Sequence, residues 1–257
     1  AAAAGSSQRR VGALSMTQVV LVLAGVRAAG ASCGHKDRGP SRNGVTDEKG
    51  WSAQWPADGP PIAWRAKVGL GFSSIVVSKS RACTAGHEAG QDTVYCFDAA
   101  SGRLAWKYSY AADLGDNFFE GGTTGTPTFD GNRVYWLSRW GDLFCFEAAD
   151  GKIVWTRKIH EEAGASIPTW GFAGAPLVHE NLLVLNVGDA GLALDKADGR
   201  IVWKSGKGDA GYSTPLPLHR KGDWLARFGN SQTPPAVNLK TGCRRWRVPG
   251  PLDLGVP

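Results

Sequence analysis

The stretch Ala193-Leu194-Asp195-Lys196-Ala197-Asp198-Gly199-Arg200-Ile201-Val202-Trp203 decides how this chain is read. A small residue is followed two positions later by an acid, then by a turn ending in Gly, and a Trp closes the frame. The frame recurs with Cys96, Asp98, Ser101, Gly102 and Trp106, again with Cys145, Glu147, Asp150, Gly151 and Trp155, and again with Ala236, Asn238, Thr241, Gly242 and Trp246. Ile62-Ala63-Trp64 matches its end alone. The tryptophans Trp64, Trp106, Trp155, Trp203 and Trp246 therefore stand roughly 42 to 49 residues apart.

Each copy reads as two strands joined by a tight turn. Val94-Tyr95-Cys96-Phe97 alternates, Ala99 to Gly102 turns, and Arg103 to Trp106 returns. The acid at the turn entrance accepts hydrogen bonds from turn N–H groups, and Asn238 does the same. Gly at the exit supplies a positive φ. The indole needs a buried face, and the small residue earlier in the frame leaves room for a ring from an adjoining sheet. Short strands repeating at this period spell a β-propeller with one four-stranded blade per repeat. The fold expected is all-β, about four blades plus one strand, an incomplete ring.

Small-x-Asp-x-x-Thr-Gly-x-x-x-Trp resembles the tryptophan-docking motif of the quinoprotein (PQQ-like) β-propeller repeats. Thr126-Pro127-Thr128-Phe129-Asp130-Gly131-Asn132-Arg133-Val134-Tyr135 is similar to the inner strands of such a blade, and Ala175-Pro176-Leu177-Val178 and Thr214-Pro215-Leu216-Pro217 repeat its opening. Arg38 to Val45 resembles the N-terminal phrase of exported repeat proteins of this kind. The resemblance covers about residues 38 to 246 and implies that Trp64, Trp106, Trp155, Trp203 and Trp246, with Gly102, Gly151, Gly199 and Gly242, dock blade on blade.

Four segments are expected: 1–33 an export signal, 34–60 an irregular lead-in pinned by Trp51 and Trp55, 61–246 the repeats, and 247–257 a truncated tail. Arg9 and Arg10 precede an apolar run, Thr17 to Val26, and small residues follow, the layout of a secretory signal. Ala29-Gly30-Ala31 offers a cleavage site, whereas Gly30-Ala31-Ser32-Cys33 resembles a lipoprotein box that would lipidate Cys33. Either places the protein in the periplasm or cell envelope. Met16 is the only Met. Removing 1–33 takes three arginines and no acid, so a net charge of +6 falls to +3 and carries no nucleic-acid footprint. Beyond Trp246 nothing in the chain supplies inner strands for the Trp64 strand, and Gly229 to Pro235 interrupts a strand position. The expected arc has open sheet edges prone to self-association.

The chemical motifs are few. Cys33, Cys83, Cys96, Cys145 and Cys243 include no C-x-x-C pair, so zinc has no support. Cys96 and Cys145 take the small position of the frame, where buried packing is expected. Cys83 and Cys96 also face one another across a possible hairpin, and an exported protein permits a disulfide there. His35, His87, His160, His179 and His219 are scattered. Gly69 to Ser74 lacks the third Gly of a dinucleotide loop, and Gly121 to Gly125 has no Lys. No G-x-S-x-G elbow occurs. Asp98, Glu147 and Asp195 recur one per blade, too far apart for paired-carboxylate catalysis. No catalytic residue and no metal ligand is assigned.

Aromatics beside Gly in the loops entering the blades remain: Phe72, Phe118 and Phe119, Trp170 and Phe172, and Tyr212. Of these, Phe72, Phe119, Trp170, Phe172 and Tyr212 are the candidate binding face, with core capping as the competing role. Two functions follow. One is an exported non-enzymatic scaffold that needs no cofactor and binds a protein or polymer partner, as the resemblance to the lipoprotein propeller of outer-membrane assembly implies. The other is a fragment of a PQQ-dependent alcohol or sugar dehydrogenase using PQQ with calcium. That site implies an adjacent Cys-Cys pair in many members and Glu, Asn and Asp around calcium; this sequence has no Cys-Cys pair.

Overall fold

A computed structural model describes residues 18–21, 54, 56, 57, 59, 61–117, 119–229 and 235–247. The chain opens with β1 (Gln18–Leu21) and β2 (Trp64–Lys67). The first blade is β3 (Val76–Ser78), β4 (Arg81–Glu88), β5 (Gln91–Asp98) and β6 (Leu104–Ala111). The second is β7 (Thr128–Asp130), β8 (Arg133–Leu137), β9 (Asp142–Glu147) and β10 (Ile153–Lys158), followed by a short helix α1 (Ile159–Ala163). The third is β11 (Leu177–His179), β12 (Leu182–Leu185), β13 (Leu192–Asp195) and β14 (Ile201–Lys204). The fourth is β15 (Leu216–Arg220), β16 (Asp223–Arg227), β17 (Pro235–Asn238) and β18 (Arg244–Arg247).

Each blade is a four-stranded antiparallel meander in chain order. Parallel bridges Gly71↔Thr123 and Gly125↔Gly174 join the entries of successive inner strands. The blades therefore share one orientation. All connections between blades, and the turns between the second and third strands, gather at one end, the loop end. The turns carrying the repeated Gly lie at the other. Among the described residues no strand pairing joins the fourth blade back to the first, so the ring is an open arc.

The hydrophobic core is a set of interfaces between blades. Strand alternation sends one face of each sheet to the blade before and the other to the blade after. In β9, Phe144 and Phe146 pack with Val94, Cys96 and Trp106 of the first blade. Leu143 and Cys145 pack with Leu183, Leu192 and Leu194 of the third. Burial pushes the Cys145 thiol pKa up to about 12, as expected of a packing cysteine. Cys243 is exposed.

The structure adds one feature to the docking rule. The small residue lies opposite the Trp of its own blade, as Cys96↔Trp106, Cys145↔Trp155, Ala193↔Trp203 and Ala236↔Trp246, while still packing on the next sheet, Cys96 against Phe144 and Phe146 and Ala193 against Phe228. A bulge interrupts each of these hairpins at the same place. The repeated Gly receives the ring of the preceding repeat. A Cβ on Gly102 would stand 2.5 Å from the Trp64 ring, one on Gly151 2.6 Å from Trp106, and ones on Gly199 and Gly242 2.7 Å from Trp155 and Trp203. These glycines have φ of 69 to 74°. Each indole N–H then donates to the residue after the turn acid: Trp64 to Ala99 O at 3.0 Å, Trp106 to Ala148 O at 3.0 Å, Trp155 to Lys196 O at 3.2 Å and Trp203 to Leu239 O at 2.8 Å.

The turn acids act locally. Asp98 Oδ1 accepts from the Ser101 hydroxyl at 2.7 Å and its N–H at 2.9 Å, contacts that hold its carboxyl below the usual range. Asn238 Oδ1 accepts from the N–H groups of Lys240 and Thr241. Glu147 departs from the pattern. It pairs with Arg133, and Asp150 accepts the Lys152 N–H at 3.1 Å instead.

Three further expectations are decided by the structure. The Trp64 strand is not left without a partner: β1, drawn from the apolar run read as an export signal, pairs antiparallel along all of β2. The interruption near Gly229 to Pro235 does not abolish the fourth blade, whose strands are as long as those of the third. β16 still pairs with β17, and Phe228 N–H closes the ladder on Pro235 O at 3.2 Å. Pro235 opens its strand, where a missing N–H is tolerated. Cys83 and Cys96, opposite each other in β4 and β5 with Cα atoms 4.2 Å apart, form a disulfide. Cys33, Trp51, Trp55, Phe118 and the tail after Arg247 lie outside the described residues.

Candidate binding face at the loop end

The loop-end aromatics divide into two surface pairs and one core residue. Phe72 and Phe119, from connections into neighbouring blades, meet with centroids 5.5 Å apart. Trp170 and Tyr212 meet at 5.1 Å. Phe72 is 44% and Trp170 37% exposed. Phe172 does not belong with them. It is 0% exposed and packs among Leu137, Leu143 and Leu185. Its N–H donates to Arg139 O at 2.8 Å and its carbonyl accepts the Thr124 hydroxyl at 2.6 Å, so its backbone is pinned and its ring turned inward.

Arg139, which motif reading passes over, links the two pairs. It sits in the turn between β8 and β9 and is only 2% exposed. One Nη donates to Leu114 O at 2.9 Å and Gly122 O at 3.1 Å, and the other to Trp170 O at 3.3 Å. The guanidinium carbon stands 5.1 Å from the ring centroids of both Phe119 and Trp140. One buried cation thus ties the connection before the second blade to the one after it. The glycines around it are required by its size. A Cβ on Gly115 would stand 2.5 Å from one Nη, and one on Gly171 2.8 Å from Arg139 Cβ. Burial lowers the guanidinium pKa, opposed by Asp92 and Asp113.

A polar chain runs beside it between the first two blades. His87 Nδ1 and Asp92 Oδ1, on facing positions of β4 and β5, are 2.8 Å apart and buried. The Tyr110 hydroxyl donates to Asp92 Oδ2 at 3.4 Å. Burial raises the Asp92 pKa against the pull of the His87 hydrogen bond, and burial likewise pushes the Tyr110 phenol up. A groove of about 240 Å³ opens at Tyr110, Asp113, Trp140 and Asp142. Among the described residues no group of three or more His, Cys, Asp or Glu is placed to hold a metal ion.

Stacked four-stranded blades locked by a Trp–Gly contact at one end, with aromatic connections at the other, define a tryptophan-docked β-propeller. The family model described as outer membrane protein assembly factor BamB matches residues 90–251, and the chain belongs to this family of PQQ-like propeller repeats. No match is found among curated proteins. Among solved structures it is similar to BamB from Moraxella catarrhalis, at 19% identity and a TM-score of 0.52, over 74% of this chain and 56% of that one. It is also similar to the quinohemoprotein alcohol dehydrogenase ADHIIG from Pseudomonas putida HK5, at 18% identity and a TM-score of 0.55, over 71% of this chain and 34% of that one. The corresponding enzyme of Comamonas testosteroni aligns at 17% identity and a TM-score of 0.56, over 72% of this chain and 36% of that one. The chain thus spans about half the length of that BamB and about a third of the dehydrogenases. At these identities the likeness shows the fold.

Proposed function

We propose that this chain is an exported, non-enzymatic propeller scaffold of the cell envelope that holds a protein or polymer partner on its loop end. The observation that carries this reading is the pair of aromatic contacts, Phe72–Phe119 and Trp170–Tyr212, presented at that end and fastened through Arg139. Rings held rigid before a partner arrives lose little entropy on binding, and exposed aromatics are the side chains that anchor interfaces. Membership in the assembly-factor family supports a protein partner in outer-membrane assembly. The Cys83–Cys96 disulfide supports an oxidising compartment, since cytosolic thiols are kept reduced. Export requires the leader reading of residues 1–33; cleavage after Ala31 or just before a lipidated Cys33 would take β1 away from β2.

The test is site-specific photocrosslinking in the envelope. A photoreactive residue at Trp170 or Phe72 is expected to capture a defined partner, while one at Arg103, at the opposite end, captures none. Equal labelling at both ends would sink the reading. So would saturable dye reduction dependent on added PQQ and calcium, which is the outcome the dehydrogenase-fragment alternative requires. The mass of the envelope form separates lipidated Cys33 from a cleaved or intact N-terminus.

A further inference from the structure

We propose that the groove between the first two blades is a carbohydrate site that takes a single pyranose ring. It is lined by Tyr110, Ala111, Ala112, Asp113, Trp140 and Asp142. Both aromatic walls have their polar atoms committed elsewhere. The Tyr110 hydroxyl is turned inward to Asp92, and the Trp140 indole N–H donates to Asp113 O at 2.9 Å. The Tyr110 ring packs on Phe144, 5.2 Å between centroids, so the ring surface on offer is the indole of Trp140. The only charged groups in the lining are two carboxylates. Asp113 Oδ1 accepts the Gly115 N–H at 2.7 Å and Asp142 Oδ2 the Ser138 hydroxyl at 3.3 Å. A carboxylate has about four acceptor sites, so both retain capacity. The lining thus presents carboxylate acceptors and one indole face. The matching ligand supplies several donors and one apolar face.

A cation meets the first demand but fits Trp140 poorly. Arg139 already stands 5.1 Å from that ring centroid and engages its quadrupole. A second cation on the same indole would be repelled through the ring by the first. A neutral sugar has no such conflict: its axial C–H bonds lie on the indole while vicinal hydroxyls donate to Asp113 and Asp142. The volume, about 240 Å³, falls below the ~300 Å³ at which drug-sized pockets begin and suits one ring. This inference deepens the scaffold reading by naming the polymer as a glycan, and rests on it for biological setting alone.

Saturation-transfer NMR on the full chain tests it, with glucose, N-acetylglucosamine and β-linked oligomers of each as probes, and arginine amide as the cationic arm. Saturable transfer to a sugar is expected, with Kd in the ~mM range typical of single rings held by few contacts. Oligomers binding more tightly than single sugars point to a polymer chain as the source, equal binding to a free sugar. Trp140→Ala is expected to weaken binding at least ~10-fold and Asp113→Ala several-fold, while Arg103→Ala leaves it unchanged. Asp113 is exposed, so its variant stays informative if Trp140→Ala does not fold. No saturable transfer to any sugar would overturn the proposal, as would transfer unaffected by Trp140→Ala and Asp113→Ala, or arginine amide binding in place of sugar. Loss of sugar binding with Trp170 crosslinks intact would leave the scaffold reading standing; the converse result would remove only that reading.

Discussion

Two glycines of the second blade separate backbone strain from blade docking. Gly151 and Gly131 both lie in turns at the same end, with φ of 74° and 60°. Either one changed to Ala incurs the left-handed penalty of about 1–2 kcal/mol. Around Gly131 a Cβ meets nothing within 4 Å, whereas on Gly151 it stands 2.6 Å from two atoms of the Trp106 ring. That ring is held by its bond to Ala148 O and by Phe146, 5.6 Å away between centroids. To reach ordinary contact the indole must retreat most of an ångström, in a core where added methyl groups cost about 1–3 kcal/mol. Its hydrogen bond, worth about 0.5–1.5 kcal/mol net, weakens with it. Gly151→Ala should therefore cost about 2–5 kcal/mol in urea unfolding and Gly131→Ala about 1–2 kcal/mol. In a Trp106→Ala background, where the ring is gone, the cost of Gly151→Ala should fall to that of Gly131→Ala. Equal costs in the native background, or no coupling between positions 106 and 151, would refute docking of each Trp on the next repeat's glycine.

Reducing the Cys83–Cys96 bond, which closes a short loop, should lower stability by about 3 kcal/mol, measured by denaturation with and without reductant; no change would mean that the bond does not constrain the unfolded chain. Arg139→Ala removes the guanidinium from three loop carbonyls, of which Leu114 O keeps the Gly122 N–H, and should cost about 2–5 kcal/mol while opening the connection between β6 and β7 to proteolysis; an uncleaved loop would deny Arg139 its fastening role. Burial raises the Asp92 pKa, so the folded chain binds more protons than the unfolded one in the acid window above the ordinary value of 3.8. Stability contributed by this group is therefore present below that value and lost as pH rises through the raised pKa. The stability of Asp92→Asn relative to the native chain should rise with pH across that window, and a flat difference in paired urea titrations would contradict the assignment. Light scattering should find the open arc as a dimer or larger species, and a cooperative monomer would mean that its ends are capped.

The periodic part of this protein is legible in its residues alone. A turn that needs an acid, a glycine at positive φ and a Trp at constant spacing is a local requirement, repeated in every blade, and it is legible because each copy solves the same local problem. Blade number, strand order and the structural role of Gly102, Gly151, Gly199 and Gly242 follow from it. The tertiary structure alone decided which neighbour each ring meets, because the turn's own chemistry is satisfied whether or not an indole lies on its glycine. It also decided the loop end. Phe172 and Trp170 stand two residues apart beside the same Gly171, yet one ring is buried and the other exposed. Irregular connections have no period from which side-chain direction can be read. Arg139 looked like any surface arginine until three carbonyls from two separate connections converged on it. Likewise Cys83 and Cys96 were a pairing the hairpin permitted, and only the register that sets them face to face turned permission into a bond.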